Sequence, residues 1–312
     1  MSADAFLLAT TSDPTLPIPP SVDAVRAALA IASAELLAIP DASLEAGWLW
    51  RDDEADVRYG LYHTIEAVEA ATVETIRALR ATGSQRTAGA DRIALTAISH
   101  WDLQGLLATL EDEVLDRHPG GDEWTPREVL GHIVGGQRAY GSFTAWWAAQ
   151  PAGAPVPDRV PAPVSDAAGL PDEEIEGAGT LGELRGRLRA VLDLHAGRLG
   201  HLDTATLDRP ARWAGFPVTV GFRIGRWSSH LVEHTVQLDK TLSGMGRHPS
   251  EVARLVRRLH GAYGHLEAVV VPMPASQMAI SDAQGRSADR VLGDLALELV
   301  AVARSARVAA VG

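Results

Sequence analysis

The spacing of the apolar residues constrains this chain most, because it is helical almost throughout. Leu103, Leu106, Leu107, Leu110 and Val114 follow the i, i+3, i+4, i+7 rule and make one amphipathic face. Val22, Val25, Leu29, Leu36 and Leu37 follow it more loosely, as do Val252, Leu255, Val256 and Leu259, and further on Leu292, Leu295, Leu297 and Leu299. Strand-like character is confined to Pro217–Phe222 and Val269–Val271. The spacing predicts an all-α protein with helices over about 21–39, 57–82, 93–117, 126–149, 181–202, 223–243, 250–270 and 288–309.

Two helix starts carry full N-terminal signatures. In Trp124-Thr125-Pro126-Arg127-Glu128-Val129, Thr125 is the N-cap, Pro126 takes the first helical position and Glu128 closes a capping box. Trp124 can staple onto Val129. Thr180-Leu181-Gly182-Glu183 repeats the box and opens a helix running to about His201. Between them, Pro151 to Gly179 is rich in Pro, Gly, Ala and acidic residues and reads as a long loop, a feature that is usually functional or disordered.

These marks divide the chain into a mobile N-terminal arm over 1–20 that ends in the Pro-rich stretch Pro14–Pro20, an N-terminal helical extension over 21–90, a bundle over 91–246 and a C-terminal helical extension over 247–312. Helices three to six can form a four-helix bundle with one long crossover. The flanking helices either pack outside it or make a second, degenerate bundle. Trp48 and Trp50 before Leu61-Tyr62-His63 are similar to Trp124 before Leu130-Gly131-His132. That similarity fits a faint internal repeat and fits equally two helices of like composition.

Composition narrows the chemistry. The 312 residues include no cysteine, which excludes disulfides, thiolate metal sites, iron–sulfur clusters and a thiol nucleophile of the chain's own. Any metal site must be built from His and carboxylates, so the 11 histidines come first. A formal net charge of −12 argues against nucleic acid as a partner, since phosphate neutralisation needs clustered Lys and Arg. No charge-free apolar stretch is long enough to span a membrane, and the N-terminus lacks a secretory pattern, so the expected compartment is the cytoplasm.

One segment concentrates the histidines: Arg226-Trp227-Ser228-Ser229-His230-Leu231-Val232-Glu233-His234-Thr235-Val236-Gln237. On a helix, His230 and His234 at i and i+4 have Cβ atoms roughly 5–6 Å apart on one face. Two imidazoles so placed can chelate a divalent ion, or they can be a satisfied polar pair. A third ligand must come from another helix, and His132, about two turns into the sharply capped helix, is the best placed. Glu233 lies near the same face and can serve as a base or support a ligand. The pentad also matches H-x-x-E-H of inverted zinc peptidases, but those are large α/β proteins and this chain shows little sheet.

The run Trp124-Thr-Pro-Arg-Glu-Val-Leu-Gly-His132-Ile, followed by a loop and helix and then His230-Leu-Val-Glu-His234-Thr-Val-Gln237-Leu-Asp-Lys240, resembles the DinB-like (YfiT-type) superfamily. The resemblance covers about 93–246. It implies a four-helix bundle with a three-histidine metal site, one His from the second helix and two from the fourth, and places the ligands at His132, His230 and His234. Characterised relatives include metal-dependent thiol transferases and isomerases that use a small cofactor thiol such as mycothiol or bacillithiol; others are hydrolase-like. No sterol-carrier-like C-terminal domain, which some mycothiol-dependent members have, is evident here.

Three neutral imidazoles leave a divalent ion an open position, as in a catalytic site. Zinc or nickel is the first expectation for the ion, iron the next. The reading is therefore a metal-dependent enzyme acting on a small-molecule substrate, either moving an external, low-molecular-weight thiol onto an electrophile or hydrolysing with a metal-bound hydroxide assisted by Glu233 as the catalytic residue. A non-catalytic helical binding protein with a vestigial site is the third reading, and a homodimer is the one protein partner considered. Gln137 and Gln237 are the expected cofactor-binding residues, able to hydrogen-bond ligands or substrate, although solvated glutamines on a helix face fit as well. Trp124, Trp146, Trp147, Trp213 and Trp227 line a pocket or fill the bundle core. Gly135 and Gly136, poor helix formers just after His132, mark a close helix approach, room for a ligand or a kink. The remaining histidines show no paired spacing, with His63 set apart only if the repeat is real.

Overall fold

The structure is a computed structural model that describes residues 18–312, so most of the arm expected over 1–20 lies outside the described residues. In chain order the elements are α1 (Pro20–Leu37), β1 (Gly47–Trp50), β2 (Asp53–Asp56), α2 (Val57–Ala81), α3 (Ala88–Leu107), α4 (Pro126–Ala148), α5 (Ala162–Ala168), α6 (Glu173–Gly177), α7 (Leu181–Leu199), α8 (Thr204–Leu207), β3 (Pro210–Trp213), β4 (Phe216–Thr219), α9 (Val220–Gly244), α10 (Glu251–Val270), α11 (Ala275–Met278) and α12 (Ala288–Val311). The two antiparallel hairpins are the only sheets among the described residues, so the chain is all-α. No helix among them is long and apolar enough to cross a membrane.

The chain divides into two compact units. The described part of unit 1 is Arg86–His100 with Glu111–Gly246, and unit 2 combines 18–85, Trp101–Leu110 and Arg247–Gly312.

In unit 1, α4 packs against α7 and α9, and the short α6 lies along α4. Its core is the apolar stripe of each helix: Val129, Leu130, Ile133 and Val134 of α4, Leu184, Leu188 and Leu192 of α7, and Ile224, Trp227, Leu231 and Leu238 of α9. Both capping boxes form as read, Thr125 with Glu128 and Thr180 with Glu183. The β3–β4 hairpin turns through Ala214 and Gly215, both at positive φ, and hands directly into α9, capped by Thr219.

In unit 2, α12 packs along α1 and α2, and α10 packs on α2. Val25, Leu29, Val57, Leu61, Val68, Val256, Leu259, Leu266, Leu292, Leu299 and Val302 are buried there. Arg26 and Glu267 form a buried two-bonded ion pair at 2.8 and 2.9 Å, each charge neutralising the other where water is excluded.

Several local expectations are corrected. The helix expected over 93–117 ends at Leu107, because Asp112 turns out of helical register and accepts the backbone N–H of Leu181 at the start of α7. Val269–Val271 is the end of α10 rather than a strand: Val269 and Val270 are its last residues, Val271 is its buried, extended C-cap, and Pro272 follows. The β1–β2 hairpin was not anticipated, and the long loop between α4 and α7 contains α5 and α6.

Candidate metal centre

The packing of α4 against α9 in unit 1 brings His132, His230 and His234 together. One ligand atom from each lies within 4.8 Å of the others. The Nε2 atoms of His230 and His132 are 3.3 Å apart. His230 is buried, and His132 and His234 are half-buried.

Each of the three imidazoles is held through its other nitrogen. His132 Nδ1 donates to Glu173 Oε1 at 2.8 Å, and His234 Nδ1 donates to Gln237 Oε1 at 2.7 Å. His230 Nδ1 lies 3.4 Å from the side-chain amide of the buried Gln137, which meets an Nδ1–H with its carbonyl when the amide is turned over. Protons held on Nδ1 leave the Nε2 lone pairs free, which is the tautomer a metal ligand needs. The His230 and His132 Nε2 atoms are within hydrogen-bond reach, and with both protons on Nδ1 their lone pairs converge on one point that a cation can occupy. A proton is a poor candidate for that cation. Burial, with the neighbouring His234 and His132, pushes the His230 pKa down to about 3. The residues therefore fit a divalent metal.

Two glycines of α4 make the geometry. A Cβ on Gly136 would sit 2.6 Å from His230 Cε1, so only glycine lets that ring reach the centre. A Cβ on Gly131 would sit 2.3 Å from the carbonyl oxygen of Glu173. Its absence lets α6 lie against α4 and bring Glu173 to His132. The same segment is fastened by Arg127, which donates to the carbonyls of Gly177 and Gly179 at 2.7 and 2.8 Å, and by Arg138, paired with the buried Glu176.

Glu233 is exposed, and its Oε2 accepts from Arg226 at 2.7 Å. That guanidinium holds its carboxyl below the usual range. Aromatic rings wall the centre: Trp124 meets His132 edge-on at 5.3 Å, and Tyr140 lies 5.1 Å from His230 and stacks on Trp213 at 4.8 Å.

Trp213 also lines a cavity of about 490 Å³ with Trp147, Asp158, Arg159, Arg212 and Arg223. Arg223 is on the His230 face of α9, two turns earlier, or about 10 Å along the axis. Only 6% of its surface is exposed. Its Nε donates to Thr144 Oγ1 at 3.2 Å, its Nη1 donates to the Arg212 carbonyl, and its guanidinium stands over the Trp213 ring at 5.6 Å. No carboxylate among the described residues neutralises it, and burial pulls its pKa down to about 10. Trp146, Trp147 and Trp227 are buried in the bundle core. Glu173, Tyr140 and Arg223 were not singled out in the sequence. The i−7 spacing of Arg223 from His230 was the one signal available.

Residues 98–238 match the family model of the DinB superfamily. That stretch, a little under half of the chain, is similar to the DinB superfamily. The match runs from the middle of α3 nearly to the end of α9 and contains all three histidines. No curated protein and no solved structure matches the chain. The family match and the three-histidine group are together compatible with a metal-dependent enzyme.

Proposed function

We propose that this protein is a divalent-metal-dependent enzyme that joins an external small thiol to an electrophilic carbon of a small, anionic substrate. The observation that carries the reading is the convergence of His132, His230 and His234 with each Nδ1 already engaged. Bound there, a divalent metal would supply Lewis acidity that favours the ionised form of a thiol or water. The thiol must be external because the chain has no cysteine.

In this reading, Glu173, Gln137 and Gln237 orient the three ligands rather than touch the substrate. Trp124, Tyr140 and Trp213 exclude water and offer ring faces to the apolar part of the substrate. Arg223, a buried cation without a carboxylate partner, holds the substrate's anionic group about two helical turns from the histidines. Glu233 stays ionised under Arg226 and can take a proton at Oε1, as a weaker base than a free glutamate.

The test uses full-length protein purified without an affinity tag. Metal analysis should find one equivalent per chain, lost in His230→Ala. A conjugation assay with an anionic electrophile should then require both metal and an added thiol. Turnover without thiol would replace transfer with hydrolysis, and absence of metal would sink both.

A further inference from the structure

We propose that unit 2 is a circularly permuted second copy of the unit 1 bundle, and that its pocket between α2 and α12 is a latent counterpart of the histidine centre whose ligand positions have been replaced.

The first observation is a shared register. The displacement that carries Val57 to Val220 also carries β1 (Gly47–Trp50) onto β3 (Pro210–Trp213), β2 (Asp53–Asp56) onto β4 (Phe216–Thr219) and α2 (Val57–Ala81) onto α9 (Val220–Gly244), with every boundary matching. Both hairpins turn through two residues at positive φ, Arg51 and Asp52 in one and Ala214 and Gly215 in the other. The helices that follow are capped alike: Asp56 accepts from Tyr59 N, and Thr219 accepts from Phe222 N. Buried positions coincide along the whole stretch, Leu36 with Leu199, Leu44 with Leu207, Leu61 with Ile224, Val68 with Leu231 and Leu79 with Leu242. No insertion interrupts the register from α1 to the end of α2.

The second observation concerns α12. It starts at the cap Ser287 as α4 starts at Thr125, and Val291-Leu292-Gly293 stands where α4 has Val129-Leu130-Gly131. It packs on α1 and α2 as α4 packs on α7 and α9. In unit 1 the α4 counterpart precedes the hairpin, whereas in unit 2 it follows. The connection is therefore permuted: the hairpin half of unit 2 precedes unit 1 in the chain and the α12 half follows it, with Trp101–Leu110 the one further segment of unit 2 between them. This register differs from the one in which Leu61-Tyr62-His63 answers Leu130-Gly131-His132, since it sets His63 against Arg226.

The third observation was not used to find the register. Under it, Ala67 and Ala71 replace His230 and His234, Asp294 replaces His132, Ala70 replaces Glu233 and Glu74 replaces Gln237. Those five residues all line one cavity of about 550 Å³. The positions that converge in unit 1 thus converge in unit 2, where one carboxylate and no imidazole remains at the three ligand positions. Two alanines keep the helix and remove chelation, so the chain holds one metal rather than two.

The test restores the ligands in the full chain as Ala67→His/Ala71→His/Asp294→His and measures cobalt(II) bound after exhaustive removal of free metal. The expected result is two equivalents against one in the parent. In a His132→Ala/His230→Ala background the expected result is one against none. That background keeps the outcome separate from the proposed function, because the restored site is read with the unit 1 centre disabled. A folded variant, judged by an unchanged helical circular dichroism signal, that gains no metal in either background overturns the proposal. If the triple variant does not fold, Ala67→His/Ala71→His with Asp294 kept as the third ligand makes the same prediction. Ala67→Cys/Asp294→Cys gives a metal-free check in a chain with no other thiol. A short bis-thiol reagent should cross-link it, and failure to do so also overturns the proposal.

Discussion

Glu173 Oε1 lies 2.8 Å from Nδ1 of His132, and the pair joins a two-turn excursion of the α4–α7 connection to the metal-facing helix. A carboxylate on Nδ1 raises the basicity of Nε2 and fixes the ring, and loss of such a partner typically costs 10–100-fold in metal affinity. Glu173 is more than half exposed, so its removal leaves no buried charge behind. Glu173→Ala should weaken zinc binding by about 10–100-fold, measured by chelator competition, with apo-protein stability unchanged. Unchanged zinc affinity would mean that His132 is positioned by packing alone.

Gly136→Ala sets two effects against each other. Alanine favours an α-helix over glycine by about 1 kcal/mol, yet the added Cβ would meet His230 Cε1 at 2.6 Å. The ring must tilt from the shared point, while the helix itself gains. The expected phenotype is metal affinity reduced about tenfold or more with an apo melting temperature equal to or above that of the parent. Calorimetric titration of metal, read beside thermal melts without metal, checks both halves. A variant that binds metal normally would show that the ring relaxes at no cost.

How much of this was legible in the sequence depends on the range of the interaction. The capping boxes at Thr125 and Thr180 are local, and both helices start where those residues place them. His230 and His234 are one turn apart on a single helix, so their common face follows from helix geometry alone. Glu173 was not visible, because its segment is short and is held by Arg127, Arg138 and the clearance at Gly131 rather than by its own propensity. The β1–β2 hairpin was missed because strands of four residues are too short to show a period of two, and Asp53-Glu54-Ala55-Asp56 is acidic where strands are usually β-branched. Of the second hairpin only β4 showed, within the strand-like Pro217–Phe222, whose last three residues open α9 instead. The likeness of α2 to α9 resides in burial and boundaries, and few residues are identical.

Arg223 tests the substrate class. It is a buried guanidinium over Trp213 with only neutral oxygens as partners. A charge-assisted bond to an anionic substrate contributes about 1.5–3 kcal/mol. Arg223→Met should therefore raise KM for an anionic electrophile about 10–100-fold, leave kcat within a few-fold, and leave the matching neutral methyl ester unaffected. Metal content should not change. Equal losses on the acid and the ester would assign Arg223 to the fold rather than to the substrate.

His195 on α7 gives a prediction about stability. It is fully buried, packs edge-on against Trp227 at 5.7 Å, and neither ring nitrogen has a hydrogen-bond partner among the described residues. Burial, with Arg198 and Arg138 adding repulsion, lowers its pKa from 6.5 to about 3. Between those two values the unfolded chain takes up a proton that the folded chain refuses. Stability from this residue is thus fully present above pH 6.5 and falls by about 1.4 kcal/mol per pH unit below it. Leucine at this position neither titrates nor leaves polar atoms unpaired. Metal-free His195→Leu should match or exceed the parent in urea unfolding at pH 7. At pH 5 its advantage should grow by roughly 2 kcal/mol, and the slope of stability against pH should shrink by one proton. His230, whose pKa is lowered in the same direction, keeps the remaining slope positive in both proteins. An advantage that does not change between pH 7 and pH 5 would mean that the folded state admits a proton at His195.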